Sequence, residues 1–279
     1  MFKDKVDKGI IKKHHIPAYK KAIKEEFKVL DKIGMTGFML FMSELLTWAY
    51  ENDIPYGNCR GSVGGSRIAY ITDIIDLDPE EWNTVFSRFA NESRKEIGDI
   101  DVDFSPSQRQ LVYDYIINRF SQDKTAYILA VTTVGDKGTI DEIGRALHYE
   151  WLKHQPKDID EKLSPYNIDN MMIVKGEYES SPEKTRLKYP EVFYYFDGIY
   201  GTTISQSMHP AGIVASPVTL TDNYGTFWND GMKILSINME EIHEVSLVKY
   251  DILGLKNVEI IKDCRAYAGL KYPKSYEID

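Results

Sequence analysis

The chain has 279 residues, 43% of them apolar and 12% aromatic, enough to fill a real core, which excludes disorder and coiled coil. A net charge of −9 argues against a small module that holds nucleic acid by bulk electrostatics alone. No run of about 18 apolar residues occurs, the basic opening lacks a signal-peptide core, and Cys59 and Cys264 match no metal or redox spacing; the expectation is a soluble, cytoplasmic protein with reduced thiols and no membrane partner.

Residues 1 to 30 hold nine Lys against four Asp or Glu, which reads either as a solvated helical face or as a surface that tracks phosphates. Within this head, residues 18–34 place Ile23, Phe27 and Leu30 at helical spacing and stop at Gly34, predicting an amphipathic helix. Residues 37–53 form an apolar block that predicts a short strand, Phe38 to Phe41, leading into a helix with Leu45, Leu46, Trp48 and Ala49. A glycine-rich loop entering a helix follows, then a helix over 77–89 opened by Asp78 and Pro79. Strict alternation over 97–104 predicts a strand. Residues 105–120 read as a capped helix with Leu111, Tyr115 or Ile116, and Phe120 inward, and 126–135 as a buried strand. From 138 to about 200 helical periodicity dominates; strands return at 208–216 and 245–252, and a helix over 257–270 closes the chain. There is no internal repeat and no low-complexity segment. This order predicts an α/β layer carrying an inserted helical subdomain.

Three features carry chemistry. In the strand at 97–104, alternate side chains share a face, so Asp99, Asp101 and Asp103 point one way and Ile100, Val102 and Phe104 the other. Carboxylates about 6.5–7 Å apart along one face repel unless a cation compensates, and oxygen-only ligands select Mg²⁺ or Mn²⁺. An acidic, solvated strand is the plain alternative. Arg60-Gly61-Ser62-Val63-Gly64-Gly65-Ser66 before a helix is a natural phosphate cradle, built from backbone N–H groups with Ser and Arg donors, or else a structural turn. Asp251, on an apolar strand, needs a partner: either Lys249 in a structural ion pair, or a metal, with Lys249 neutralising phosphate. A Gly-Ser loop, then a D-x-D strand, then a third carboxylate on a later strand is the plan of nucleotidyltransferase palms, where two metal ions surround the reacting phosphorus. His209, at the start of a buried strand, is either a satisfied structural histidine or a donor to phosphate.

The string NCRGSVGGSRIAYITDIIDLDPEEWNTVFSRFANESRKEIGDIDVDF resembles the palm of the bacterial DNA polymerase III alpha (C-family) subunit, with its G-R-G-S-x-x-G-S loop, D-L-D-P segment, E/S-R-F segment and P-D-x-D-x-D-F strand. AVTTVGDKGTIDEIGRAL, MHPAGIVAS and LVKYDILGLKN are similar to later family segments, all in family order over roughly residues 30 to 260. The resemblance implies an α+β fold: a polymerase beta-like nucleotidyltransferase palm, a mixed sheet with helices, and an inserted helical thumb. Residues 1–137 would be the first part of the palm, 138–203 the thumb and 204–279 the second part. It implies Asp99, Asp101 and Asp251 as catalytic carboxylates holding two Mg²⁺ (or Mn²⁺) ions. Arg60, Gly61, Ser62, Gly65, Ser66 and Lys249 would bind the nucleotide phosphates, with Arg88, Arg94 and His209 as candidate DNA or phosphate contacts and Asp103 of second rank.

This sequence departs from the family at Gly98 for Pro, Gly57-Asn58-Cys59 for G-P-G, Arg67 for an apolar residue, and Pro210 for a small residue after His209. Family members are several times longer, with a phosphoesterase domain before the palm and fingers, a clamp-binding region and an oligonucleotide-binding domain after it. The expectation is a palm and thumb, as an excised piece or a phage or mobile-element short form, acting on primer-template DNA and dNTP. The rival readings are an untemplated nucleotidyltransferase, and a non-catalytic replisome-binding or split-polymerase module with a fingers-containing or replisome partner chain.

Overall fold

Apolar spacing of three and four residues starts the first helices. In a computed structural model, which describes residues 1–12, 20–57, 59–91, 100–245 and 247–270, helix α1 spans Phe2–Lys12 and α2 spans Lys20–Lys32. Gly34, in the left-handed region at φ +76°, terminates α2 with the Met35 N–H bonded back to the Leu30 carbonyl at 2.8 Å, a cap for which glycine is suited. Helix α3 is continuous over Thr36–Glu51. This corrects the strand expected at Phe38–Phe41: Phe38, Phe41, Met42, Leu45, Leu46 and Ala49 are all buried at helical spacing, so a run apolar on every side is a core helix.

The glycine loop winds into a 3₁₀ turn, Gly61–Gly65, and then the short helix α4, Arg67–Ile71. No α-helix forms over 77–89. Asp78 Oδ1 accepts the Glu80 N–H at 3.0 Å, Asn83 takes φ +48°, and only a single 3₁₀ turn forms at Phe86–Arg88. The self-bonding aspartate makes a turn where a helix cap was expected.

Strand β1 is Asp101–Phe104, α5 is Arg109–Phe120 and β2 is Thr125–Thr133. Helix α5 buries Val112, Tyr113 and Ile116, while Leu111 is exposed, so its inward face is rotated from the one expected. Helices α6 (Asp136–Lys153), α7 (Ile168–Ser180), α8 (Pro182–Lys188), α9 (Pro190–Tyr194) and α10 (Phe196–Ile199) follow. The remainder comprises β3 (Thr203–Ala215), α11 (Leu220–Tyr224), β4 (Thr226–Asn229), β5 (Met232–Asn238), α12 (Met239–Glu244), β6 (Val248–Gly254) and α13 (Lys256–Tyr267). Strands β4 and β5 form a hairpin closed by Asp230 and Gly231, both left-handed at φ +49° and +75°, a turn matched to strand twist.

The chain divides into two compact units: residues 1–129 with 208–279, and residues 130–207. The first holds the mixed sheet, in the order β1-β6-β3-β2-β5-β4. Tyr127, Leu129, Ile213, Ala215, Tyr250 and Ile252 face a core shared with α1 to α5, whereas Ala126, Ile128, Val214 and Leu235 face a smaller cluster with Leu220 of α11 and Ile242 of α12. Period-two alternation thus gives β2, β3 and β5 a side in each layer. The second unit packs Ile140, Ile143, Met171, Val174, Val192, Phe193 and Phe196 together.

Helix α13 ties the end of β1 to β6. Leu255 N–H donates to the Phe104 carbonyl at 3.0 Å. Glu259 accepts from the Ser107 N–H at 3.1 Å and from the Ser105 and Ser107 hydroxyls, with Lys262 paired alongside. Lys262 first, then these hydroxyls and the N–H, hold the Glu259 carboxyl down from 4.5 to about 2. A depressed folded value contributes stability present above 4.5 that is lost as pH falls toward about 2. Glu259→Gln should therefore lower stability at pH 7 by about 1 kcal/mol, solvent screening keeping the effect small. The difference from wild type should close between pH 4.5 and 2 in chemical denaturation; a gap that persists at pH 2 would refute it.

Candidate active site

Strands β1 and β6 run parallel as neighbours, with Asp101 registered on Asp251 and Asp103 on Leu253. Registered residues of a parallel pair leave the sheet on the same side. Val102, Phe104, Tyr250 and Ile252 take the main core, which sends Asp101, Asp103, Lys249 and Asp251 to the opposite face. Two acids far apart in the chain are brought side by side by strand pairing.

Each is attended by a cation. Lys249 Nζ lies 2.8 Å from Asp251 Oδ2, with side chains 4% and 10% exposed, so one of the two partners the sequence offered Asp251 is in place. Arg60 Nη1 donates to Asp103 Oδ1 at 2.8 Å, and its Nε stands 3.8 Å from Asp101 Oδ2. Among the described residues no group of three or more His, Cys, Asp or Glu is arranged to hold a metal ion. Asp99 and Arg94 lie outside the described residues.

The glycine loop meets this face at Gly61. Its φ of +76° favours glycine, and a Cβ there would sit 4.0 Å from Asp101 Oδ2. At Gly65 the constraint is contact: a Cβ would stand 2.5 Å from the Val85 carbonyl oxygen. Thr84 Oγ1 donates to the Gly64 carbonyl at 2.7 Å, closing the loop onto the segment before Phe86. Between them lies a cavity of about 280 Å³ lined by Gly61, Ser62, Gly64, Gly65, Trp82 and Arg88, among others. Gly65→Ala should force these backbones apart and cost about 1–3 kcal/mol in urea unfolding, with the cavity distorted. Wild-type stability in that variant would show the contact to be soft.

Ser66 does not join its neighbours at the cavity. It is fully buried, its hydroxyl donates to Glu26 Oε2 at 3.0 Å and accepts the Ala69 N–H at 3.1 Å, and it thus caps α4. The residue that ends the motif starts the helix. Glu26, on α2, also accepts the Arg67 and Ile68 N–H groups at 3.2 and 3.1 Å and Arg67 Nη1 at 3.0 Å. Burial pushes its carboxyl above the ordinary value, and the bonds from Ile68, Arg67 and Ser66 oppose that shift without reversing it. The sequence held a signal for Glu26, an acid on the inward stripe with Ile23 and Leu30. Thr84 and Trp82 had none, since their part follows from the turn that replaced a helix.

His209 Nδ1 accepts the Ala211 and Gly212 N–H groups at 3.3 and 3.1 Å, which puts the neutral ring's proton on Nε2. Gly212 registers with Asp251 across β3 and β6, so the ring is held on the strand beside the acid.

A family model described as the bacterial DNA polymerase III alpha NTPase domain matches residues 1–254. The chain belongs to the bacterial DNA polymerase III alpha family. The polymerase III alpha match ends at the last residue of β6, so both strands of the acid pair lie inside it. Curated DNA polymerase III alpha subunits of Treponema pallidum and Aquifex aeolicus are 33% and 29% identical over 243 and 271 residues, and that of Escherichia coli K12 is 28% identical over 257. These alignments cover 85%, 88% and 88% of this chain but 20%, 23% and 21% of the relatives, so the chain spans about a fifth of their length.

Proposed function

We propose that this chain is the palm and thumb of a template-directed DNA polymerase, transferring a nucleotidyl group from dNTP to a primer 3′-hydroxyl. The palm comprises residues 1–137 and 204–279, and the thumb 138–203. The observation that carries the reading is the registered pair Asp101 and Asp251, with Arg60 of the glycine loop 3.8 Å from Asp101.

An all-oxygen pair of carboxylates on one sheet face suits hard divalent cations, and the charge of Arg60 and Lys249 beside those acids fits a site built to balance negative charge. Asp101 and Asp251, with Asp99, would hold two Mg²⁺ or Mn²⁺ ions. When bound, such ions activate the attacking hydroxyl and neutralise charge on the triphosphate. The chain's own groups do the rest. Gly61, Ser62, Gly64, Gly65 and Arg88 line the cavity, and the loop's backbone N–H groups, the Ser62 hydroxyl and the Arg88 guanidinium would bind the phosphates there. Lys249 offsets charge that develops on the leaving pyrophosphate, and His209 offers its Nε2–H to a phosphate oxygen. In-line displacement at the α-phosphorus needs mainly this positioning and charge stabilisation.

The deciding experiment is Mg²⁺- or Mn²⁺-dependent extension of a primer on templates of four different next bases. Incorporation that follows the template supports the reading; incorporation that ignores it points to untemplated transfer. A folded chain that incorporates nothing, yet captures a fingers-containing or replisome protein, would make it a binding or split-polymerase module.

A further inference from the structure

Arg67 directly follows the glycine loop, and none of the chemistry above uses it. Its Nη1 donates to Glu26 Oε1 at 3.0 Å, its Nε donates to Glu80 Oε1 at 2.5 Å, and Nη2 pairs with Glu80 as well. One guanidinium therefore bridges two carboxylates. Glu26 is 2% exposed and fixed by the Ser66 hydroxyl and the Arg67 and Ile68 N–H groups as well as by the Arg67 guanidinium, so it is an anchor within the α2 and α4 packing. Glu80, more exposed, stands on the 77–88 segment that supplies Leu77, Asp78, Trp82 and Arg88 to the far wall of the cavity. The near wall is the glycine loop. Thr84 ties the walls together at Gly64, and Arg67 ties them a second time, from the core outward.

We propose that Arg67 is a positioning residue that fixes the separation of the two cavity walls and so sets how tightly the cavity grips nucleotide phosphates. The inference rests on the reading that the glycine loop holds the triphosphate. Its physical basis is the rigid planar fork of the guanidinium, which reaches two carboxylates at once where a lysine ammonium offers a single compact charge. An exposed ion pair such as Arg67–Glu80 adds little to global stability, so its effect falls on the geometry of the segment it restrains.

The test is equilibrium binding of dATP with Mg²⁺ to the full chain, beside amide hydrogen exchange over residues 77–88, in wild type, Glu80→Ala, Arg67→Met and Arg67→Lys. Glu80→Ala cuts only the outer half of the bridge and is expected to keep the wild-type melting temperature while exchange over 77–88 quickens and the dATP Kd rises about tenfold, the scale of one charge-assisted hydrogen bond. Arg67→Met should weaken binding at least as much, and Arg67→Lys should restore part of the loss. Unchanged exchange and unchanged Kd in Glu80→Ala overturn the proposal. Wild-type chain that binds no dATP overturns the phosphate reading together with it, whereas wild-type binding matched by every variant overturns this proposal alone.

Discussion

Asp101→Asn is expected to reduce metal-dependent primer extension by about a thousandfold while leaving the fold intact, the scale seen when one preorganised charge-stabilising group is lost from a reacting centre. The substitution preserves shape and removes one negative charge. Asp101 is 33% exposed, and an asparagine keeps its size beside Arg60, whose Nε stands 3.8 Å from Oδ2, so neither packing nor the β1–β6 pairing should suffer. Asp251→Asn should lose a similar factor in activity, but it also unbalances the buried Lys249 and should lower the melting temperature. That difference between two variants of equal chemistry separates catalysis from stability. Primer extension with single-turnover kinetics, beside thermal unfolding, reads both; activity that survives in the two variants removes the site.

Lys249→Met should destabilise the protein by about 3–5 kcal/mol, because it takes the cation from a carboxylate that is itself almost fully buried. The double variant Lys249→Met with Asp251→Asn should regain most of that loss, since no charge then remains to be compensated. Mn²⁺ should raise the melting temperature of Lys249→Met more than that of wild type, because a ligand that binds the native state stabilises it by mass action and the variant has the greater need of positive charge. Urea unfolding of the four proteins measures the coupling. A Lys249→Met chain as stable as wild type would mean that Asp251 finds its compensation elsewhere.

Much of this was legible in the residues. The alternation of Ile100, Val102 and Phe104 against Asp101 and Asp103 fixed which side of β1 enters the core, and the burial of those three apolar residues follows it. The helical insert after β2 was visible from periodicity, and so was the Gly34 stop of α2. The hairpin of β4 and β5 went unread, although Asp230-Gly231 is a strong turn signal, because its strands are short and only half apolar. The α3 segment was misread because an apolar run lacks periodicity to arbitrate between strand and helix. What no local pattern contains is pairing: that β6 lies against β1, that Arg60 turns to Asp103, and that Ser66 is spent on a buried glutamate from an earlier helix. Those depend on contacts distant in sequence.

The side-by-side placement of Asp101 and Asp251 makes the spacing of residues ahead of β6 a matter of parity. Sliding that strand by a single position against β1 would turn its acid toward Tyr250's present surroundings and expose an apolar side chain in its stead. Shortening the strand's own approach by one residue is thus a harsher lesion for folding than shortening it by two, and a deletion series there would show stability returning on even steps without activity, since a slide of two positions still parts Asp251 from Asp101.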